Sequence, residues 1–160
     1  MFTGKIYSGW MEDSQGEKIK EILKNVRPQK RVLDIGCGPG FLENFISDSF
    51  MVDTDLENLK KAKGEGNKVL ADGSHLPFKD KSFKTIFCID TIHLLDTEKI
   101  KEEIKRVLRG GTAVITAFCN EYNKSEKMSK LREPFEDFNI EREFFAGKRE
   151  MDAVIVVRNN

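Results

Sequence analysis

The 160 residues carry 27 Lys and Arg against 27 Asp and Glu, so the formal net charge is zero although charged residues make up 34% of the chain. That balance leaves no global field to draw the chain onto nucleic acid or an anionic membrane, and no apolar run approaches the ~18 residues of a membrane span. The length suits one domain, residues 1–160, with a hydrophobic core of its own.

Strand-like and helix-like stretches alternate along the chain. Ile19, Ile22, Leu23 and Val26 recur at helical spacing, and Ser14 with Glu17 reads as a capping box that starts this helix. "RVLDIG" is a strand, "FLENFIS" a helix and "FMVD" a second strand. Asp55 is placed to cap the helix "LENLKKAK", which leads into the strand "KVLAD". After the loop "GSHLPFKDKS", the near-continuous apolar run "FKTIFCI" reads as a central strand buried on both faces. A helix "TEKIKEEIKRVL", stopped by Gly110 and Gly111, precedes the strand "TAVITAF". Residues 119–133 are polar with room for one short helix, and "FNIEREFF" with "EMDAVIVVRN" forms a closing antiparallel pair. Alternating βα units imply an α/β fold, a doubly wound and mostly parallel sheet with helices on both faces.

The segment "VLDIGCGPG" places three glycines within five residues at a strand-to-helix turn. Glycines there serve positive φ or bring backbone close to a ligand at the carboxyl edge of the sheet, though a plain tight turn uses them too. A dinucleotide needs free N–H groups at the helix start, and Pro39 has none to give. The spacing is GxGxG rather than GxGxxG, and neither tyrosine begins a YxxxK pair, so a nicotinamide enzyme is disfavoured. S-adenosylmethionine, a nucleoside without phosphate, is the alternative.

Over residues 31–118 the chain resembles the class I S-adenosylmethionine-dependent methyltransferases of the methyltransferase type 11 group, through several motifs in order. The resemblance implies a Rossmann-like sheet of seven strands with an antiparallel strand near the C-terminus, and S-adenosylmethionine as cofactor. It places Asp34, Gly36, Cys37 and Gly38 around the methionine part. Asp53 falls on the acidic residue that binds both ribose hydroxyls, with Thr54 beside it. Asp72, Gly73 and Ser74 fall at the adenine edge, and Ile89 and Asp90 beside the cofactor. An ionised carboxylate is acceptor-only and takes two O–H donors at once, which suits the role implied for Asp53. "RVLRGGTAVIT" lacks the proline of the family's turn into the fifth strand, and "IDTI" stands where amino-methyltransferases of adenine or glutamine carry an Asn/Asp-Pro-Pro-Tyr/Phe signature. Those acceptors are disfavoured.

His93 follows the fourth strand and reads either as a general base toward an N–H or O–H acceptor or as a helix-start histidine bonded to backbone. Tyr7 and Trp10 lie in a short segment, 1–13, that either closes over the cofactor as a lid or packs Trp10 under the first helix. Cys37, Cys88 and Cys119 are widely spaced, odd in number and free of CxxC pairs, which reads as reduced thiols of a cytoplasmic protein without a metal site. "NKSEKMSKLR" alternates in charge and reads as a solvated face. The function expected is methyl transfer to a small-molecule acceptor. The alternatives are a non-catalytic cofactor-binding subunit, or an RNA or protein methyltransferase acting with a partner.

Overall fold

Most of the apolar runs become strands because they bury one or both faces. In the computed structural model, which describes residues 4–64 and 66–160 (4–8 as helical backbone alone), they are β1 Val32–Ile35, β2 Phe50–Asp53, β3 Asn67–Leu70, β4 Phe83–Cys88, β5 Leu108–Cys119, β6 Asn139–Ala146 and β7 Met151–Arg158. They pair in the order β3-β2-β1-β4-β5-β7-β6. The edge strand β3 stays largely exposed. Pairing is parallel from β3 through β5, and β7 runs antiparallel to both its neighbours. The strand order reverses between β1 and β4, and a crevice opens at their carboxyl ends.

Alternate residues of each strand feed two cores. One face carries Leu33, Ile86, Ala113, Ile115 and Ile155 against Ile100, Ile104 and Val107 of helix α3, Thr97–Val107. The other carries Val32, Phe87, Val114, Val154 and Val156 against Ile19, Ile22 and Val26 of helix α1, Gly4–Asn25. Burying one such side chain contributes about 1.5–3 kcal/mol, so these two faces hold the sheet flat against its helices. Helix α2, Leu56–Lys61, starts at Asp55, whose side chain accepts from the N–H groups of Glu57 and Asn58 as its spacing implied. Helix α4, Lys124–Arg132, fills the polar stretch after β5.

Three expectations change. Helix α1 does not begin at Ser14: it already runs from Gly4, and Ser14 lies buried mid-helix, in phase with Lys18 and Ile22. The helix expected over "FLENFIS" is a single 3₁₀ turn, Leu42–Asn44, because Glu43 is drawn inward to Ser49 and Asp34 instead of facing solvent. Gly110 and Gly111 do not stop α3. That helix ends at Val107 and β5 follows at once; a Cβ on Gly111 would lie 1.8 Å from the Lys84 carbonyl oxygen, so the glycine serves a close approach of β5 to β4. The β4–β5 register shifts at this point.

Between β3 and β4 no helix intervenes, and residues 71–82 form a loop clamped from below by α3. Arg106 donates to the carbonyls of Phe78 and Leu76 at 2.6 and 3.0 Å, and Glu103 accepts the Leu76 N–H at 2.7 Å. Arg106 and Glu103 are themselves paired at 2.8 Å. The clamp sets where Asp72 and Gly73 stand.

Candidate active site

The glycine loop leaves β1 at Gly36, whose φ is +71° and whose built Cβ would meet Thr91 Cγ2 at 2.2 Å. Two consecutive N–H groups, of Gly36 and Cys37, donate to the Val52 carbonyl at 2.7 and 3.0 Å. The third, of Gly38, donates to Asp53 Oδ2 at 2.8 Å, and a Cβ on Gly38 would project into open space. The loop therefore hugs β2 and β4 on one side and presents bare backbone on the other. That side is the wall of a cavity of about 520 Å³ at the carboxyl ends of β1, β2 and β4, within the roughly 300–1,000 Å³ of small-molecule sites.

The structure brings most of the expected residues into that wall. Asp34, Gly36, Cys37, Gly38, Asp53, Thr54, Asp72, Gly73, Ile89 and Asp90 all line it. Asp53 holds the loop with one oxygen and accepts the Asp55 N–H with the other, at 2.8 Å, while each oxygen keeps a further lone pair for a donor in the cavity. Asp72 fixes its own turn by accepting the Ser74 N–H at 2.8 Å. Ser74 is buried outside the wall. His93 is exposed and also outside it: in a 3₁₀ turn residues three apart share a face, so Thr91 and Leu94 look into the cavity and His93 looks away. Trp10 is 41% exposed on the extended α1, beyond the cavity wall, and the Tyr7 side chain lies outside the described residues. The helix extension crosses toward α2, where Glu12 and Lys63 pair at 3.7 Å. Gln15 and Ile19 of the same helix do reach the wall.

Two buried polar groups flank the cavity. Asp34 is almost fully buried beside Glu43. Burial first, then the charge of Glu43 and the hydrogen bond between the two carboxyls, then Asp53, hold Asp34 well above the usual carboxylate range. Burial also raises Glu43, against the hydrogen bonds it accepts from Asp34 and Ser49. On the other flank Lys18 Nζ, its side chain 1% exposed, donates to Asp90 Oδ2 at 2.6 Å and to Asp152 Oδ1 at 2.9 Å. Thr116 accepts the Asp90 N–H at 3.0 Å and donates to Asp152 Oδ2 at 2.7 Å. Burial and the Asp90 charge push Asp152 up to about 7 against the pull of Lys18. Lys18 stays above its ordinary value because Asp152 and Asp90 outweigh its own burial.

Sequence reasoning missed Glu43, Lys18, Thr116 and Asp152. The signal was periodicity: Lys18 lies four residues before Ile22, and Asp152 lies two before Val154, each on the face destined for the core. The three cysteines are free and buried, and burial pushes each thiol up, so none is a nucleophile at neutral pH.

The cavity wall has a chemical bias. Five carboxyl groups line it (Asp34, Asp53, Asp55, Asp72, Asp90), with Asp34 alone among them held toward its protonated form by burial, and among the described residues no Lys or Arg does. A pyrophosphate would be repelled. S-adenosylmethionine, which carries a sulfonium, an ammonium and one carboxylate, has a net positive charge and no phosphate. It fits the wall in sign, in hydroxyl donors for Asp53, and in the bare backbone at Gly38.

Comparison with known proteins agrees. A family model described as "Methyltransferase domain" matches residues 33–116. Protein MJ0638 of Methanocaldococcus jannaschii is 32% identical over 85% of this chain, which spans 60% of that protein's length. The tRNA (carboxymethyluridine(34)-5-O)-methyltransferase of Schizosaccharomyces pombe is 25% identical over 68% of this chain and 51% of its own length. Among solved structures, a SAM-dependent methyltransferase from Aquifex aeolicus superposes with a TM-score of 0.76 at 20% identity, covering 98% of this chain and 100% of that one. A Haloferax volcanii methyltransferase, solved in complex with the Trm112 methyltransferase activator, gives 0.76 at 18% identity over 95% and 93%.

Proposed function

The chain belongs to the S-adenosylmethionine-dependent methyltransferase family, and on that premise we propose that it transfers the methyl group to a small-molecule acceptor entering from the cavity mouth. The bound cofactor supplies a methyl group on a sulfonium, activated for in-line attack. The chain's part is alignment and exclusion of water, which supply most of the catalysis for such a displacement. Gly36, Cys37 and Gly38 hold the loop against β2, Asp53 orients the ribose, and Asp72 and Gly73 form the adenine edge. Ile89 and Asp90 stand at the end of β4, on the side open to the acceptor. Residues 4–64 and 66–160 share one sheet, which supports a single domain, and the three free thiols support a cytoplasmic location.

The observation that carries the acceptor class is the carboxylate wall without a basic partner. It favours a neutral or cationic acceptor over a phosphate-rich one. Away from the site, Lys60, Lys101, Lys105, Lys124, Lys130 and Arg158 each pair with a carboxylate, and the formal net charge of zero gives no global basic field for RNA. The test offers the protein and cofactor a low-molecular-weight cell extract and, separately, total tRNA, and follows label from the methyl group. Label in small molecules is the expected outcome. Label in tRNA alone overturns the small-molecule reading, and no S-adenosylhomocysteine with either points to the non-catalytic subunit.

A second reading rests on the Haloferax complex: a protein partner completes the mouth. In either reading the lid expected of residues 1–13 requires the N-terminal part of α1 to swing toward the cavity when cofactor binds, because Trp10 stands beyond the wall in this structure. Trp10 is the sole tryptophan, so its emission should change on cofactor binding. An unchanged spectrum, with full affinity after deletion of residues 1–13, removes the lid.

A further inference from the structure

Lys18, Asp90, Asp152 and Thr116 come from four elements, α1, the end of β4, β7 and β5, and meet under the cavity floor. Only Asp90 reaches the cavity; Lys18 and Asp152 are buried beneath it. Asp90 is held there by its backbone as well, in a positive-φ conformation of +51° that is costly for a non-glycine residue. One oxygen of Asp90, Oδ1, is buried and receives no donor from the surrounding chain. Lys18 Nζ bonds to both carboxyls and so holds Asp90 and Asp152 side by side, where a proton between them would satisfy that oxygen. The result is one lysine cation over a dicarboxylate holding one proton, with no net charge.

We propose that Lys18, Asp90 and Asp152 form a proton-holding site against the cofactor cavity: the two carboxylates share one proton while the cavity holds no positive charge, release it when the cofactor's sulfonium enters, and take the acceptor's proton as that charge is consumed. The proposal rests on the methyltransferase reading and goes beyond it by assigning the proton's destination. With the cofactor bound, the cluster is one negative charge against one positive charge. As the acceptor's lone pair takes the methyl group, the carbon–sulfur bonding pair stays on sulfur and extinguishes the sulfonium charge. The acceptor's N–H or O–H hydrogen leaves as a proton, its bonding pair stays on the heteroatom, and Asp90 receives the proton and shares it with Asp152. The total charge in and under the cavity is the same before and after. Asp90 is the residue that meets the acceptor; Asp152 and Lys18 are positioning residues that act through it.

The other groups facing the cluster do not compete for this proton. Thr116 is a hydroxyl, and Gln15, one turn before Lys18, is neutral. The Cys88 and Cys119 thiols on β4 and β5 are kept protonated by burial. Asp34, across the cavity, is paired with Glu43.

Calorimetry of the full chain tests the proposal without turnover. Cofactor and S-adenosylhomocysteine, its uncharged-sulfur product, are titrated about one pH unit below 7 in buffers of different ionisation enthalpy. The cofactor should release about one proton more than the product, and its Kd should tighten by up to about tenfold per pH unit on the acid side of the titration while the product's barely moves. In Asp152→Asn the difference in proton count should vanish. Equal proton counts for the two ligands in the native protein overturn the proposal while leaving the family reading intact. Failure of both ligands to bind overturns the family reading and the proposal with it. Should Asp152→Asn not fold, carbon-13 carboxyl spectra of the native protein decide the matter. A buried aspartate titrating near neutrality, shifted by cofactor and not by product, supports the proposal; none titrating there refutes it.

Discussion

Two buried carboxyl pairs flank one cavity, and only one of them contains a cation. Asp34 and Glu43 lie between β1 and the 3₁₀ turn that follows the glycine loop, and their only close support is each other, Ser49 and a proton. Asp90 and Asp152 lie under the far wall with Lys18 bonded to both. In a medium of low dielectric a lone carboxylate is expensive, so in the first pair burial and the charge of Glu43 hold Asp34 toward its protonated form. The second keeps a full charge on Lys18 and a titratable proton near neutrality. The difference separates a structural device from a responsive one: without a cation Asp34 keeps its proton against Glu43, and with a cation the pair is poised.

The sharpest way to break this comparison is to remove the cation. Lys18→Met leaves two buried carboxylates uncompensated and should cost about 3–5 kcal/mol above neutral pH, the range for breaking a buried ion pair. The loss should shrink in acid, where the carboxyls protonate. The native protein should show the same asymmetry more weakly. Folded Asp152 holds its proton to about 7 and an unfolded carboxyl only to the ordinary 3.8, so the folded chain binds more protons in between. Stability from this group is full below 3.8 and is lost as pH rises through about 7. Urea unfolding of both proteins at acid and alkaline pH measures the effect; a pH-independent loss in Lys18→Met would show that the cluster does not titrate.

Next in size is Asp53→Ala, which removes a carboxylate from the Asp34 side. Two hydroxyl acceptors and the anchor of the Gly38 N–H disappear together, each bond to a charged group contributing ~1.5–3 kcal/mol. Cofactor affinity should fall at least ~10-fold by calorimetry. The same change lowers the field on Asp34, whose proton should then come off more easily. Asp55→Ala, outside both pairs, should cost roughly 1 kcal/mol of stability through the lost cap on α2 and leave cofactor affinity nearly intact. Matching affinity losses in the two variants would take the ribose role away from Asp53. The smallest effect belongs to Asp34→Asn. An amide copies a carboxyl that is already protonated, so unfolding should shift by less than about 1 kcal/mol. A loss comparable to that of Lys18→Met would mean that Asp34 is ionised and the two pairs are alike.

Much of the site was legible in the sequence because its parts are local. A strand running into Gly36, Cys37 and Gly38, an acid at the end of β2, and Asp72-Gly73 after β3 are short motifs whose geometry follows from backbone freedom and from the ends of parallel strands. The cap at Asp55 is legible for the same reason: capping needs only the next three residues. His93 shows the limit, since a shift from helix to 3₁₀ turn changes which face a residue occupies, and that shift comes from packing.

The alternation of strands and helices, the mostly parallel sheet, the glycine loop and the family resemblance were legible in the sequence itself, through hydrophobic period and motif order; the order of the strands and its reversal at β1 and β4 belong to the folded chain. Only the tertiary structure decided that Lys18, Asp90, Thr116 and Asp152 form one group, because they are 134 residues apart at their extremes and are joined by two strand registers and a helix face. It also decided that the run after the glycine loop is a single turn, since Glu43 is held by Asp34 and Ser49, contacts that no local propensity contains. Burial sets the protonation of both pairs, and burial belongs to the folded chain alone.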